Sequence, residues 1–345
     1  MSGLAVTWFI LVAVLLTGYF LLDGFDLGIG VLYPFLGRGE QSKAVLRRAI
    51  GPVWDGNEVW LLTAGGALFA AFPAAYATSF SGFYLAIMLV LFGLIVRAVS
   101  LEFRAHDPKL RGVWDATFFV GSLLPALLFG VAIGNVVAGI PLNDNGDYTG
   151  TFFGLLTPFA LCCGVLGLMH MLTQGASWAA VKAPQEGADD LRDRAASLRR
   201  VLLVVELVVF LLVTCLFFVT VVPTSTVGLG VTALGVVFAV VYALGWVMAM
   251  LRKTSDPTDD IYAFIGVELS AVGLVGILAA TMFPNLIVCS TDAALSITVA
   301  NAASGDATLA AMAVIAGIGV PLVLIYHVIS YRIFRGRLAK EDLTY

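Results

Sequence analysis

The stretch WDGNEVW at residues 54–60 places two carboxylates at the start of a long apolar run. Asp55 and Glu58 are three residues apart, so on a helix they share one face. Trp54 and Trp60 flank them, and tryptophan is enriched where helices meet the membrane interface. Burial makes a carboxyl group hold its proton more tightly, whereas a neighbouring cation favours the ionised form. This pair of carboxylates is therefore a candidate for moving protons.

Other ionisable side chains also interrupt the apolar runs, where each costs about 2.5–3.5 kcal/mol on insertion scales. They are Asp23, Asp26, Asp55, Glu58, Arg97, Glu102, His170, Glu206, Glu268 and His327. Antiparallel packing of the first three runs would bring five of them to one depth, namely Asp26, Asp55, Glu58, Arg97 and Glu102. Such an acidic cluster with one guanidinium is typical of a proton relay. The alternative is that these side chains only bond across helices as structural contacts, which we favour for Glu206 and Glu268 because each stands alone.

The histidines argue against a haem held by this chain. Haem iron in a membrane protein takes axial His, Met or Cys ligands, and the sequence has only His106, His170 and His327. A single histidine in an apolar run is more often hydrogen-bonded than metal-bound. The four cysteines lack metal-ligand spacing, and nucleotide-binding and nucleophile motifs are absent from the sequence. The sequence therefore predicts neither a metal site nor a catalytic residue in this chain.

The composition indicates that lipid surrounds most of the chain. Of its 345 residues, 60% are hydrophobic and only 12% are charged, whereas soluble domains carry roughly 25% charged residues. A soluble fold has no place for this much apolar surface. The sequence also contains no basic domain, which argues against nucleic acid as a partner.

Nine runs are apolar and long enough to be transmembrane helices, which need about 20 residues each. Backbone groups in lipid must be bonded internally, so we expect every run to be helical. The predicted spans are residues 4–24, 50–72, 79–101, 116–140, 151–175, 201–222, 228–250, 263–286 and 308–331. The first is expected to end between residue 24 and about residue 36, with a break or tilt near Gly24 and Pro34. It lacks a basic start and a cleavage site, so we interpret it as a retained span.

The charges between these spans predict the orientation of the chain. One set of connections contains 18 of the 19 Lys and Arg residues, and the opposite set contains acids but no Lys or Arg. The basic set is 37–49, 101–115, 176–200, 251–262 and 332–345. By the positive-inside rule, the N-terminus lies outside and the C-terminus lies in the cytoplasm. An odd number of spans requires termini on opposite sides, in agreement with this assignment.

Three long segments carry a resemblance to a known family. They are DGFDLGIGVLYPFLGR at 23–38, GPVWDGNEVWLLTAGGALFAAFPAAYATSFSGFYLAIMLVLFGLIVRAVSLEFR at 51–104, and WDATFFVGSLLPALLFGVAIGNVVAGIPL at 114–142. They resemble subunit II of cytochrome bd-type quinol oxidases. The motif match is specific over residues 20–142, and beyond them the resemblance rests mainly on the nine-span layout and on FPNLIVCS at 283–290.

The resemblance implies a respiratory complex of the bacterial plasma membrane, which passes electrons from a membrane quinol to O2 and forms water. Subunit I carries haem b, haem d and the quinol-oxidising loop. Subunit II holds no haem, packs against subunit I and supports assembly of the haem sites. Some members hold a quinone or a lipid in subunit II as a structural ligand. Whether this chain does so, which quinone is oxidised and whether a small third subunit is present are left open.

The resemblance also implies a fold and a set of site residues. The fold is all-α, with one four-helix bundle over 1–142 and a second over 143–290. Residues 291–345 add an outer loop, a peripheral ninth helix and a cytoplasmic tail. A proton path proposed for this family falls by motif match on Asp26 in GFDLG, Asp55 in WDGN, and Arg97 and Glu102 in RAVSLEF. Glu58 joins this set through its spacing from Asp55.

Two other functions fit the sequence in general terms. A secondary transporter also combines many spans with intramembrane acids and Gly-rich helices, but paired interrupted spans at matching places in two halves are missing from this sequence. A purely structural membrane subunit with inert polar residues is the third interpretation. A transporter is expected to work without haem or a partner, whereas an oxidase subunit is expected to purify with both.

Overall fold

The computed structural model describes residues 1–184, 190–223, 232–252 and 257–338. The start of the predicted span 228–250 and the end of the predicted tail therefore lie outside the described residues. Within them the chain forms twelve α-helices and two short β-strands. The helices are α1 (Gly3–Leu36), α2 (Glu40–Ile50), α3 (Trp54–Ala71), α4 (Pro73–Gly82), α5 (Tyr84–His106), α6 (Arg111–Ala138), α7 (Pro158–Lys182), α8 (Leu191–Leu216), α9 (Thr232–Leu251), α10 (Pro257–Met282), α11 (Val299–Ala302) and α12 (Asp306–Ile333), and the strands are β1 (Asn285–Ile287) and β2 (Ile297–Thr298).

Eight helices in the described residues are long and apolar enough to cross a membrane, and the chain is a multi-pass membrane protein. They are α1, α5, α6, α7, α8 with the π-helical turn that continues it to Val221, α9, α10 and α12. The remaining predicted span, 50–72, corresponds to α3. This helix has 18 residues, and Asp55, Asn57 and Glu58 make its first turns polar. The nine-span count and the division into two bundles stay predictions.

Several predicted span boundaries are wrong because local signals start or stop the helix elsewhere. The span predicted to begin at residue 79 begins at Tyr84, since Pro73 starts the separate helix α4. The span predicted to begin at residue 151 begins at Pro158, where the Thr157 side chain accepts a hydrogen bond from the Ala160 backbone nitrogen. Helix α10 ends two residues before Pro284, which cannot continue a helix.

Helix α1 is the centre of the packing. It is one continuous helix through Gly24 and Pro34, so neither residue ends the span. It packs against α3, α6, α7 and α10, and its residues 23–33 are all buried. Its backbone contacts that of α7 directly, because a Cβ at Gly28 would overlap the Met171 carbonyl oxygen. The long buried end of α1 can therefore present polar groups to several helices at once.

The predominantly helical fold agrees with the all-α prediction, and the segment after α10 adds two short strands to it. Strands β1 and β2 pair antiparallel, with Asn285 opposite Thr298. The four-residue helix α11 follows, capped by reciprocal hydrogen bonds between Thr298 and Asn301. Helix α12 packs against α1 and α3 and leaves most of its apolar side chains exposed.

Candidate functional site

Arg97 lies at the centre of a buried charge cluster that joins three helices. Its guanidinium NH2 lies 2.7 Å from Asp23 Oδ1 on α1 and 3.3 Å from Glu58 Oε1 on α3. The Arg97 and Asp23 side chains are fully buried, whereas the Glu58 side chain is 24% exposed. We call Asp23, Asp26, Glu58 and Arg97 the carboxylate cluster. It combines three acids with one permanent cation.

Close helix packing holds Arg97 in this position. A Cβ at Gly121 on α6 would lie 2.7 Å from the Arg97 backbone nitrogen, and one at Gly93 on α5 would lie 2.9 Å from Pro125 Cδ. Such short distances leave no room for side chains, so both positions require glycine. The backbones of α5 and α6 therefore approach closely on one side of α5. The long Arg97 side chain extends from this rigid base to α1 and α3.

Asp26 belongs to a second group of hydrogen bonds within the same cluster. The Asn57 side-chain nitrogen donates to Asp26 Oδ2 at 2.8 Å and to the Leu22 carbonyl oxygen at 3.0 Å. The Tyr331 hydroxyl donates to Asn57 Oδ1 at 3.1 Å. Asp26 is fully buried, and its Oδ1 has no hydrogen-bond partner among the described residues. One oxygen of this carboxylate is therefore oriented by Asn57, and the other is available for a proton or a water molecule.

The predicted site residues divide into two groups. The structure brings Asp26, Glu58 and Arg97 together as expected. Asp55 and Glu102 are instead exposed, and in the described residues neither side chain forms an ion pair or a hydrogen bond. Asp55 lies one helical turn before Glu58 at the start of α3. Glu102 lies near the end of α5, beyond the part of that helix that faces the cluster.

Sequence reasoning left Asp23 out of the site, although it is the ion-pair partner of Arg97. Asp23 and Asp26 are three residues apart, and this spacing places both on one face of a helix. This spacing indicates a shared site only if the end of α1 is known, because the depth of Asp23 depends on it. In the structure, α1 extends to Leu36. Trp60 also differs from expectation. It is buried, and its Nε1 donates to His327 Nε2 at 3.2 Å, rather than lying at the membrane interface.

Glu206 and Glu268 each have a partner on another helix, in agreement with the structural interpretation. Glu268 Oε2 accepts from the Gln174 side chain at 2.9 Å, and Gln174 also donates to the Phe20 carbonyl oxygen of α1 at 3.0 Å. Glu206 Oε1 lies 3.0 Å from His170 Nδ1. All three histidines have a hydrogen-bond contact, and the described residues contain no cluster of three or more His, Cys, Asp or Glu side chains for a metal ion.

A cavity of about 470 Å³ lies between helices α6 to α10. Its walls are almost entirely apolar, and Phe159, Phe210 and Leu278 are among them. His170 and Gln174 are among the polar side chains that reach it. His170 Nε2 and Gln174 Oε1 are buried, and no described residue forms a hydrogen bond with either atom. The cavity therefore combines room for an apolar molecule with two unused polar atoms.

Comparison with known proteins identifies the family. Residues 4–334 match the family described as cytochrome bd terminal oxidase subunit II. A probable cytochrome oxidase subunit 2 of Haemophilus influenzae is 38% identical, over 96% of this chain and 94% of the relative. The cytochrome bd-I ubiquinol oxidase subunit 2 of Escherichia coli is 36% identical, over 97% and 95%. The cytochrome bd ubiquinol oxidase subunit 2 of Bacillus subtilis is 34% identical over the full length of both chains.

The fold agrees with this result. A chain in the structure of bd oxidase from Geobacillus thermodenitrificans superposes with a TM-score of 0.77, covering 96% of this chain and 99% of that one, at 16% sequence identity. That identity supports the fold alone. The sequence matches extend over nearly the entire chain at 34–38% identity. The chain belongs to the cytochrome bd terminal oxidase subunit II family.

Proposed function

We propose that this chain is the non-haem subunit of a quinol:O2 oxidoreductase of the bacterial plasma membrane. It packs against a haem-bearing subunit I, supports assembly of the haem b and haem d sites there, and conducts protons for O2 reduction. Family membership supports the complex, and the poor supply of haem ligands supports a partner that carries the haems. The transporter alternative has no support from the relatives, which are oxidase subunits.

The proton path is the function for which the carboxylate cluster gives the most support. Asp55, exposed at the start of α3, takes a proton from water and passes it one helical turn inward to Glu58. Glu58 lies against Arg97, which cannot release a proton and instead stabilises the ionised form of the neighbouring carboxylates. Asp23 and Asp26 then carry the proton along α1. Glu102 is exposed on α5 and is not part of this sequence of contacts.

Arg97 and Asn57 act as positioning residues in this path. Arg97 holds Asp23 Oδ1 at 2.7 Å, and Asn57 holds Asp26 Oδ2 at 2.8 Å. The second oxygens of Asp23 and Asp26 have no hydrogen-bond partner in the part of the chain that the structure describes. Each of these free oxygens can accept a proton and later release it to a water molecule or to the next carboxylate. The buried Asp26 with one oriented and one free oxygen is the observation that carries this proposal.

We further propose that the cluster takes its protons from the cytoplasm. The N-terminus then lies outside and the C-terminus inside, with α3 as a ninth span, as the distribution of Lys and Arg predicts. Since forming water consumes protons, uptake from that side makes turnover generate a membrane potential. The apolar cavity between α6 and α10 suits a quinone or lipid held as a structural ligand, with His170 and Gln174 as its polar contacts.

Two variants of the intact complex test the proton path. Asp26→Asn keeps the shape of the side chain and removes its acid, and Asp55→Asn does the same at the proposed point of uptake. Both are expected to lower quinol-dependent O2 consumption about tenfold or more, toward the roughly 10²–10⁴-fold that general acid–base groups typically contribute, with an unchanged reduced-minus-oxidised haem spectrum. Asp144→Asn in the loop after α6 is the matched control and is expected to leave turnover unchanged.

The same preparations test whether this chain belongs to a haem-bearing oxidase complex. A tagged chain is expected to purify in mild detergent with a larger partner and with haem b and haem d absorption bands. A colourless chain that is stable alone would contradict the oxidase assignment. Loss of the haem bands in Asp26→Asn would show that Asp26 is structural and would end the argument for proton transfer at this residue.

A further inference from the structure

A second buried charge cluster lies at the Lys- and Arg-rich end of α8 and α10. Asp260 Oδ2 lies 2.7 Å from Arg192 Nε and 3.4 Å from Arg337 NH2, and Asp260 Oδ1 lies 3.6 Å from Arg199 NH1. We call Arg192, Arg199, Arg337 and Asp260 the arginine cluster. Arg199 and Asp260 are fully buried. Three guanidinium groups therefore share one buried carboxylate.

Arg199 is left with hydrogen-bond donors that the described residues do not satisfy. Its Nε, NH1 and NH2 are all buried and have no hydrogen-bond acceptor, and Arg192 NH2 is in the same state. Arg192 also lies 3.7 Å from the exposed carboxylate of Asp193, which adds little because exposed pairs are weak. A buried guanidinium cannot release its proton, and an unsatisfied buried charge is costly. An acceptor anion would remove that cost.

An apolar groove begins beside this cluster. The groove has a volume of about 540 Å³ and lies along the end of α9, with Arg252 and Asp259 at one end. Its apolar walls are Leu244, Val247, Met248 and Leu251. Arg200, next to Arg199 in the chain, donates from NH2 to the Arg252 carbonyl oxygen at 2.9 Å. Asp259 is likewise the chain neighbour of Asp260. Chain neighbours of Arg199 and Asp260 therefore lie at the end of the groove.

The exposed face of α8 continues the apolar surface away from the cluster. Val201, Val204, Val205 and Val208 follow Arg199 on this helix, and each is at least 39% exposed. This combination of an anion-binding group at a helix end and an apolar surface beyond it matches an amphipathic ligand. Basic pockets between transmembrane helices bind the headgroups of anionic lipids in this way.

We propose that the arginine cluster binds the phosphate of an anionic phospholipid from the leaflet on the Lys- and Arg-rich side. The phosphate oxygens accept hydrogen bonds from Arg199 and Arg192, and an acyl chain lies in the groove along α9. Asp260 fixes the guanidinium groups and keeps the site from being purely cationic. This binding site is independent of the proton path, because it lies on other helices and uses other residues.

The test uses the intact complex, reconstituted in nanodiscs of phosphatidylglycerol or of phosphatidylcholine after a detergent wash. Native mass spectrometry is expected to find a phosphatidylglycerol molecule retained on this subunit, with about tenfold preference over phosphatidylcholine. Arg199→Gln is expected to weaken retention about tenfold, as expected for loss of a charged hydrogen-bond donor. Lys109→Gln, an exposed basic residue on the same side, is the matched control and keeps the preference.

Thermal unfolding of the same samples gives a second readout. If lipid occupies the site, Arg199→Gln lowers Tm in phosphatidylglycerol but not in phosphatidylcholine, where the wild-type arginine has no anion. If Arg199→Gln fails to assemble, Arg192→Gln, which changes a less buried residue, is measured in its place with the same expected signs. Equal lipid retention by wild type and variant would overturn the proposal. If millimolar inorganic phosphate alone removed the difference between the two lipids, the site would bind free phosphate, and the lipid proposal would be overturned.

Discussion

The two buried charge clusters of this chain have opposite compositions. In the carboxylate cluster, the single guanidinium of Arg97 lies between the carboxylates of Asp23 and Glu58. In the arginine cluster, the single carboxylate of Asp260 lies among three guanidinium groups. Both lie on helices that are long and apolar enough to cross a membrane or are packed against such helices. Each cluster thus has an excess of one sign of charge in a place where water is scarce.

This difference in sign decides how each cluster can become neutral. A carboxylate with too little positive charge nearby can take up a proton, and it can release that proton again. An arginine with too little negative charge nearby cannot lose its proton at any ordinary pH. An excess of acids is therefore compatible with proton transfer, whereas an excess of arginines favours a bound anion. In the functions that we propose, the first cluster exchanges protons and the second binds an anionic ligand.

The largest loss of stability is expected in the arginine cluster, because an arginine cannot become neutral by releasing its proton. Asp260→Asn removes the one buried acid that the described residues place beside Arg199 and its neighbours. We expect a loss of about 3–5 kcal/mol in the free energy of unfolding, as for breaking a buried ion pair from one side. Thermal unfolding of the purified complex in phosphatidylcholine measures it. Asp259→Asn, which removes the partner of the half-exposed Arg252, is the control, with an expected loss below about 1 kcal/mol.

A smaller effect is expected when the lone cation of the carboxylate cluster is removed. Arg97→Gln leaves Asp23 and Glu58 without their ion-pair partner, and proton uptake limits the resulting cost to about 2–3 kcal/mol near neutral pH. A buried carboxylate without a cation can be neutralised by a proton, so we expect the stability of this variant to rise as the pH falls.

Two further measurements make this prediction sharper. The double variant Arg97→Gln with Asp23→Asn is expected to be more stable than Arg97→Gln alone, because it removes the buried acid that lost its partner. The stability loss of Asp260→Asn is expected to stay constant between about pH 6 and pH 8, since arginine does not titrate there. If the stability loss in Arg97→Gln were also independent of pH, the carboxylates would not be exchanging protons. The contrast between the two clusters would then disappear.

Sequence reasoning was sufficient for the carboxylate cluster in outline. Charged residues inside apolar runs are few, so Asp26, Glu58 and Arg97 stand out without any structure. Their meeting follows from antiparallel packing of neighbouring spans. Asp23 was missed because its depth depends on where α1 ends, and no local signal fixes that point. Asp55 and Glu102 were included on residue type, spacing and motif, but Asp55 lies at the exposed start of α3 and Glu102 lies near the end of α5, beyond the part that faces the cluster.

The arginine cluster could not be found in the same way. Its members lie among many Lys and Arg residues at the ends of helices, where a positive charge is ordinary and is usually solvated. Asp260 is 61 residues from Arg199 in the chain, and only the packed structure shows that both are fully buried. Burial, rather than residue type, separates Arg199 from its exposed neighbours. A sequence therefore identifies charged residues inside membrane spans readily. It does not show which of the charged residues at the ends of the spans are buried.

The smallest expected effect concerns Glu102, the motif residue that the fold places outside the carboxylate cluster. Because its side chain is exposed and has no ion-pair partner in the described residues, Glu102→Gln is expected to change quinol-dependent O2 consumption by less than about twofold. Asp55→Asn, also exposed but one turn from Glu58, is the comparison and is expected to slow turnover about tenfold. Equal slowing by both variants would mean that protons move along the surface of α5 against another subunit, and that the buried carboxylates serve the fold instead.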